Sequence, residues 1–246
     1  MSCTDSNVNV AASATATAAA PAPALPPSAA AAPAARAFSL PRINEPAPAF
    51  HAKTTFGDRS LEDYRGKWLV LFSHPADFTP VCTTEFTAFA KASADFAAIN
   101  CELLGLSIDS IYSHLAWVEN IKHRFGVEIP FPIIEDLSMD VARAYGMIHP
   151  GASDISAVRA TFIIDPNGTL RAMVYYPMTN GRSVAEILRL VRGLQTSLAN
   201  GVATPEGWQP GDKVLVGAPK TVKELNARLQ EGLETTDWYF SMKSLG

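Results

Sequence analysis

Cys82 lies three residues past Thr79 and seven past Pro75, in the run Ser73-His74-Pro75-Ala76-Asp77-Phe78-Thr79-Pro80-Val81-Cys82-Thr83-Thr84-Glu85. A thiol reacts as its thiolate, and the start of a helix favours that form through its partial positive charge and unpaired N–H donors. The flanking residues predict such a position. Upstream, Trp68-Leu-Val-Leu-Phe72 is an apolar burst that reads as a buried strand. Downstream, Phe86, Phe89, Ala90, Phe96 and Ala97 follow helical spacing, which predicts an amphipathic helix over residues 84–99. Two prolines stiffen the loop between them, and the Thr79 hydroxyl is placed to meet whatever approaches the sulfur.

Pro75, Thr79 and Cys82 form Pro-x-x-x-Thr-x-x-Cys, and on this motif the chain resembles the peroxiredoxins (the alkyl hydroperoxide reductase/thiol-specific antioxidant superfamily). The longer string SHPADFTPVCTTEF is similar to the one-Cys branch. The resemblance continues through Leu104-Gly-Leu-Ser-Ile-Asp109, His114-Leu-Ala-Trp117, Pro130-Phe-Pro-Ile-Ile134, Arg159-Ala-Thr-Phe-Ile-Ile-Asp165 and Tyr176-Pro-Met-Thr-Asn-Gly-Arg182. It runs from about Phe38 to the C-terminus.

The resemblance implies a hydroperoxide substrate, no cofactor and no metal, with Cys82 as the nucleophile. Its thiolate attacks the terminal oxygen of ROOH, giving a sulfenic acid and ROH. Arg159 matches the arginine that the family holds against this cysteine. Its permanently charged donor fork suits both the thiolate and a peroxide oxygen. Charge that builds on the leaving oxygen is assigned to the Thr79 hydroxyl, Arg159 and the Cys82 N–H, by analogy with an oxyanion hole. Pro75 shields the sulfur. Thr79 also reads as a helix N-cap, and both roles are compatible.

Three further residues carry two readings each. Glu85, one turn past Cys82, either orients Arg159 or is an ordinary first-turn acid. Arg182 either joins the network, as a second family arginine does, or sits on the surface at a helix start. His74 either moves protons or satisfies a local hydrogen bond. The histidines at 51, 114, 123 and 149 are dispersed and without ligand spacing, so a zinc site is not expected.

The 246 residues alternate strand-like and helix-like segments from Ile43 onward. Strands are expected at 68–72, 103–108, 161–164 and 170–175, and helices at 84–99, 114–124, 139–145 and 183–197. Asp165-Pro-Asn-Gly168 signals a hairpin, so part of the sheet is antiparallel. The pattern predicts an α/β, thioredoxin-like fold with a mixed central sheet and a small C-terminal appendage. Residues 1–37, rich in Ala and Pro, read as a disordered extension, residues 38–203 as the peroxidase domain and residues 204–246 as the extension used by the family for dimerisation. Within the latter, 204–219 reads as a linker, 221–230 as a short helix and 236–240 as exposed aromatics.

A net charge of -4 and no basic cluster argue against nucleic acid and anionic membrane surfaces as partners. No apolar run approaches the ~20 residues of a membrane span. The odd set Cys3, Cys82 and Cys101 does not suggest a disulfide framework, which favours a reducing, cytoplasmic setting.

The three cysteines also frame the resolving step. Some relatives place a second cysteine after an Asp-Trp-aromatic-Phe run. Here that run, Asp237-Trp-Tyr-Phe240, is followed by Ser241. A one-Cys cycle with an external thiol or thioredoxin-like reductant is therefore expected, in a homodimer or a higher ring. Two alternatives stand beside it: resolution by Cys101 or Cys3, and a redox sensor or holdase assembly switched by Cys82 oxidation. A disulfide oxidoreductase would need Cys-x-x-Cys, and Thr79 and Glu85 occupy the partner positions. The lipase-type Gly-x-Ser-x-Gly element of vertebrate one-Cys relatives is replaced by Tyr64-Arg-Gly-Lys-Trp-Leu69, so phospholipase activity is not expected.

Overall fold

The computed structural model describes residues 40–245 apart from Asp154 and Leu229. The extension expected over 1–37, with Cys3, lies outside the described residues. A short hairpin, β1 (His51–Ala52) with β2 (Arg59–Ser60), leads through a single 3-10 turn (Leu61–Tyr64) into β3 (Trp68–Ser73). The chain continues as α1 (Pro80–Ala98), β4 (Cys101–Ser107), α2 (Ile111–Phe125), β5 (Ile133–Glu135), α3 (Asp140–Ala144), β6 (Arg159–Ile164), β7 (Leu170–Tyr176) and α4 (Val184–Asn200).

The central sheet has the order β5-β4-β3-β6-β7. Its β3–β4 and β4–β5 pairs are parallel, and β3–β6 and β6–β7 are antiparallel, so the sheet is mixed as the sequence predicts. Every residue of β3 is buried, because helices or loops cover both faces. Its alternate side chains feed two cores. Leu69 and Leu71 pack with Leu104, Leu106, Phe162 and Tyr145 on one face. Val70 and Phe72 pack with Phe86, Phe89, Trp117 and Val191, from α1, α2 and α4, on the other. Gly105 in β4 leaves room for this packing: a Cβ at that position would lie 3.1 Å from the Phe86 ring, tighter than an ordinary contact.

Two expectations are corrected. Strand β5 is absent from the sequence reading, since three residues after two prolines carry no usable periodicity. The segment 204–219, read as a linker, contains a buried Trp208 and strand β8 (Val214–Val216). After α5 (Val222–Arg228), β9 (Glu234–Asp237) and β10 (Phe240–Lys243) close an antiparallel sheet of order β8-β10-β9. Partners that arrive some 25 residues later on the chain cannot be read from a local pattern (Val216 faces Ser241). Trp238, Tyr239 and Phe240 are exposed, as expected.

Candidate active site

The site is assembled where the end of β3, the start of α1, the start of β6 and the loop between β7 and α4 converge. Helix α1 begins at Pro80, four residues before the predicted start. Proline suits the first helical position, where its fixed φ is already helical and its missing N–H is not needed. Cys82 is consequently the third residue of the helix, inside the first turn, where backbone N–H groups have no partner within the helix. Its side chain is fully buried.

Thr79 occupies the cap position with extended backbone, yet its hydroxyl makes no capping bond. It donates instead to the Ala76 carbonyl at 2.8 Å. Toward a further group the Thr79 oxygen therefore stands as an acceptor, and not as the donor to developing charge expected from the sequence. Pro75 is buried beneath the same loop.

Arg159 opens β6, as its place before the predicted strand suggests. Its Nη1 donates to Cys82 Sγ at 3.3 Å and to Glu85 Oε2 at 2.7 Å. Its Nε and Nη2 both donate to the Met178 carbonyl, at 3.0 and 2.8 Å. The guanidinium is thus held in one orientation. The Ser73 hydroxyl fixes the strand below it, donating to Val158 O and accepting from Ala160 N–H.

Glu85 is the hub of the cluster, not an ordinary first-turn acid. Besides Arg159 it accepts from Arg182 three times: backbone N–H at 2.7 Å and Nε at 2.9 Å on Oε1, and Nη2 at 2.8 Å on Oε2. Arg182 is buried rather than on the surface. Its remaining donor reaches Ala160 O and Thr161 Oγ1, and its guanidinium lies 5.4 Å from the centre of the Phe72 ring. Burial works against the Glu85 carboxylate, but hydrogen bonds and charge from Arg182, with Arg159 behind it, hold it below its ordinary range. Two guanidiniums and one carboxylate leave a formal excess of one positive charge around a buried sulfur.

His74 takes the structural side of its two readings in part. Its Nε2 lies 2.9 Å from Asp77 Oδ1, while its buried Nδ1 has no partner. By sequence alone His114 is one of several dispersed histidines. In fact His114 Nδ1 lies 2.8 Å from Asp77 Oδ2, so His74, Asp77 and His114 form one buried chain beneath the Cys82 loop. The available signal was the inward spacing of His114, Trp117 and Ile121 on α2, together with an acid inside the motif itself. Donor atoms of His74, Asp77 and Asp109 lie within 4.8 Å of one another, as metal ligands would. The carboxylates are already engaged: Asp109 Oδ2 accepts from Asp77 N–H and from the Ser107 hydroxyl, and the Asp77 oxygens face the two histidines.

Cys101 is remote from the site. It opens β4 just beyond the far end of α1, so about 24 Å of helix separates it from Cys82. A disulfide needs Cα atoms within roughly 7 Å, far less than the length of helix between these two cysteines of one chain. Burial and the neighbouring Glu102 also push the Cys101 thiol up to about 12.

Comparison with known proteins bears on most of the chain from residue 43 onward. The AhpC/TSA family profile matches residues 43–173, and that of the C-terminal domain of 1-Cys peroxiredoxin matches residues 193–232. A peroxiredoxin of Aquifex aeolicus is 56% identical over 218 residues, covering 84% of this chain and 98% of the relative. One from Methanosarcina mazei is 49% identical over 214 residues, 83% of this chain and 98% of the relative. Among solved structures, a yeast mitochondrial 1-Cys peroxiredoxin, studied for thiol resolution via glutathione/thioredoxin systems, superposes with a TM-score of 0.76. It has 38% identity and covers 84% of this chain and all of that one (100%). A cysteine-to-serine variant of peroxiredoxin 6 from Arenicola marina gives 0.73 at 34% identity, covering 83% and 98%.

Proposed function

The chain belongs to the AhpC/TSA family and is a peroxiredoxin, a thiol-dependent peroxidase, and on that premise we propose a one-Cys cycle carried by Cys82 with an external thiol as reductant. The observation that carries the assignment is the single Arg159 nitrogen shared between Cys82 Sγ and Glu85. An arginine so held faces the sulfur in a fixed orientation and still presents charge to an incoming oxygen.

Hydrogen peroxide or an organic hydroperoxide enters with its terminal oxygen toward the sulfur. The S–O bond forms as the O–O bond breaks. Sulfur loses two electrons, and the leaving alkoxide or hydroxide takes a proton and departs as ROH or water. Arg159 and the first-turn N–H of Cys82 face the charge that develops. Thr79, whose own hydrogen is given to Ala76, accepts the O–H of the incoming peroxide. Pro75 keeps bulk water away. A thiol then condenses with the sulfenic acid, releasing water and leaving a mixed disulfide. A second thiol attacks that disulfide and frees Cys82.

The distance and burial of Cys101 support the one-Cys reading, as does the likeness to the yeast 1-Cys enzyme, for which glutathione and thioredoxin systems are named. The exposed Trp238-Tyr239-Phe240 tip supports a homodimer in which the C-terminal sheet packs on a second copy. A cytoplasmic location belongs to the same reading.

Intact-mass spectrometry after one equivalent of hydrogen peroxide, with a sulfenic-acid trap and without reductant, tests the cycle. A trapped monomer modified at Cys82 is the expected product. A disulfide between Cys82 and either other cysteine would replace the one-Cys cycle with a two-Cys one.

A further inference from the structure

The His74–Asp77–His114 chain has a proton count that its geometry fixes. His114 Nε2 lies 3.0 Å from the Ile134 carbonyl, which only accepts, so Nε2 carries a hydrogen. Its Nδ1 is 2.8 Å from a carboxylate oxygen of Asp77. If His114 were neutral and Asp77 ionised, two lone pairs would face each other at that distance in a buried site. One proton must therefore lie between them, on Nδ1 or on Oδ2. Burial disfavours the Asp77 carboxylate, but hydrogen bonds from His114 and His74 outweigh this and hold it well below its usual range. Burial pushes His74 the other way, down from its ordinary value. That leaves it neutral, with its Nε2–H on Asp77 Oδ1 and its Nδ1 bare.

Asp77 is also the midpoint of the loop that carries Pro75 and Thr79. Its backbone N–H is held by Asp109 Oδ2 at 3.0 Å, and the next residue, Phe78, has a φ of 55°. A bulky side chain in the left-handed region is strained and persists only where its surroundings impose it. The two side-chain bonds of Asp77 tie that loop to the end of β3 through His74, and to α2 and β5 through His114. The remaining charged groups around the pair are Asp109 and Glu135, which accepts the Ile111 N–H at the start of α2.

We propose that Asp77 and His114 are positioning residues for the peroxidase reaction. They share one proton that clamps the Pro75–Thr79 loop over Cys82, and loss of that proton releases the loop. The kinetic part rests on the peroxidase reading; the proton itself can be observed without any turnover.

The test uses the full reduced chain. Nitrogen-15 NMR of the histidine rings and carbon-13 NMR of the carboxyls at neutral pH are expected to show one proton held between His114 Nδ1 and Asp77, and a bare His74 Nδ1. A bare His114 Nδ1 beside an ionised Asp77 carboxylate, read from its carbon-13 shift, would overturn the proposal whatever the activity. In stopped-flow oxidation of Cys82, Asp77→Ala and His114→Ala should slow sulfenate formation on the order of 10- to 100-fold, the scale of an ångström misplacement of reacting groups. Asp77→Asn should recover most of that loss. Its amide donates to a neutral His114 and still accepts from His74. The wild-type rate should fall on the alkaline side as the shared proton leaves, and Asp77→Asn, with no such proton, should lack that fall. Wild-type rates in both alanine variants, or an Asp77→Asn variant as slow as Asp77→Ala, would refute the clamp. Should the alanine variants not fold, the Asp77→Asn pH profile and the ring spectra decide alone.

Discussion

Arg159 Nη1 donates to Glu85 Oε2 at 2.7 Å across 74 residues of sequence, and the same nitrogen reaches Cys82 Sγ. Because the contact is shared, the acid does not compete with the sulfur for the arginine; it aims the arginine at it. Arg159→Ala should slow sulfenate formation by on the order of 100- to 1000-fold, as loss of a transition-state donor does elsewhere. Arg159→Lys should recover little, since an ammonium cannot bond Met178 O, Glu85 and Cys82 at fixed angles. Stopped-flow oxidation of Cys82 checks both. A lysine variant near the wild-type rate would mean that charge alone suffices.

Cys82→Ser should abolish peroxide consumption in a chain that remains folded, because a hydroxyl fits the buried position without supplying the nucleophile. Circular dichroism and a peroxide assay, run together, separate loss of chemistry from loss of fold. Residual turnover would move the chemistry to another cysteine.

Glu85→Gln leaves two buried guanidiniums sharing a neutral partner, and a cost of about 3–5 kcal/mol in stability is expected, as for other broken buried pairs. The pH dependence follows from the depressed ionisation of the Glu85 carboxyl. A group whose pKa is lower in the folded state adds its full stability above its ordinary value of 4.5, and loses it as pH falls toward the folded value. Asp77, also depressed, acts in the same sense. The wild type should therefore lose thermal stability progressively below about pH 4.5, and Glu85→Gln should flatten part of that decline. Melting temperatures measured from neutral to acid pH test this. An undiminished acid limb in the variant would remove Glu85 from the account.

Cys101→Ser should leave peroxide turnover with an external thiol unchanged, since about 24 Å of α1 separates the two cysteines. Steady-state rates compared at matched peroxide suffice. A large loss in a folded variant would bring Cys101 into the cycle, through a second copy of the chain.

What sequence determined was local. The apolar run of β3, the periodicity of α1 and the motif between them marked a cysteine at a strand-to-helix junction. Pro80 at the first helical position carried the signal for the earlier start that apolar spacing missed. The order of expected strands and helices, with the Asp165–Gly168 hairpin, was enough for a mixed α/β sheet. Tertiary structure decided which polar groups meet. From sequence, Glu85 and Arg182 each carry an ordinary surface reading beside the network one, and His114 stands in a family-resembling segment with no role of its own. Only the closing of β6 and the β7–α4 loop onto α1 brings both arginines to one carboxylate, and only the packing of α2 sets His114 on Asp77. The C-terminal sheet has the same cause, for β8 acquires its partner when β10 returns to it. Helical and strand periodicities are properties of neighbours along the chain. Hydrogen-bond partners of buried charges are chosen across it, where leaving one unpaired would cost more than folding could recover.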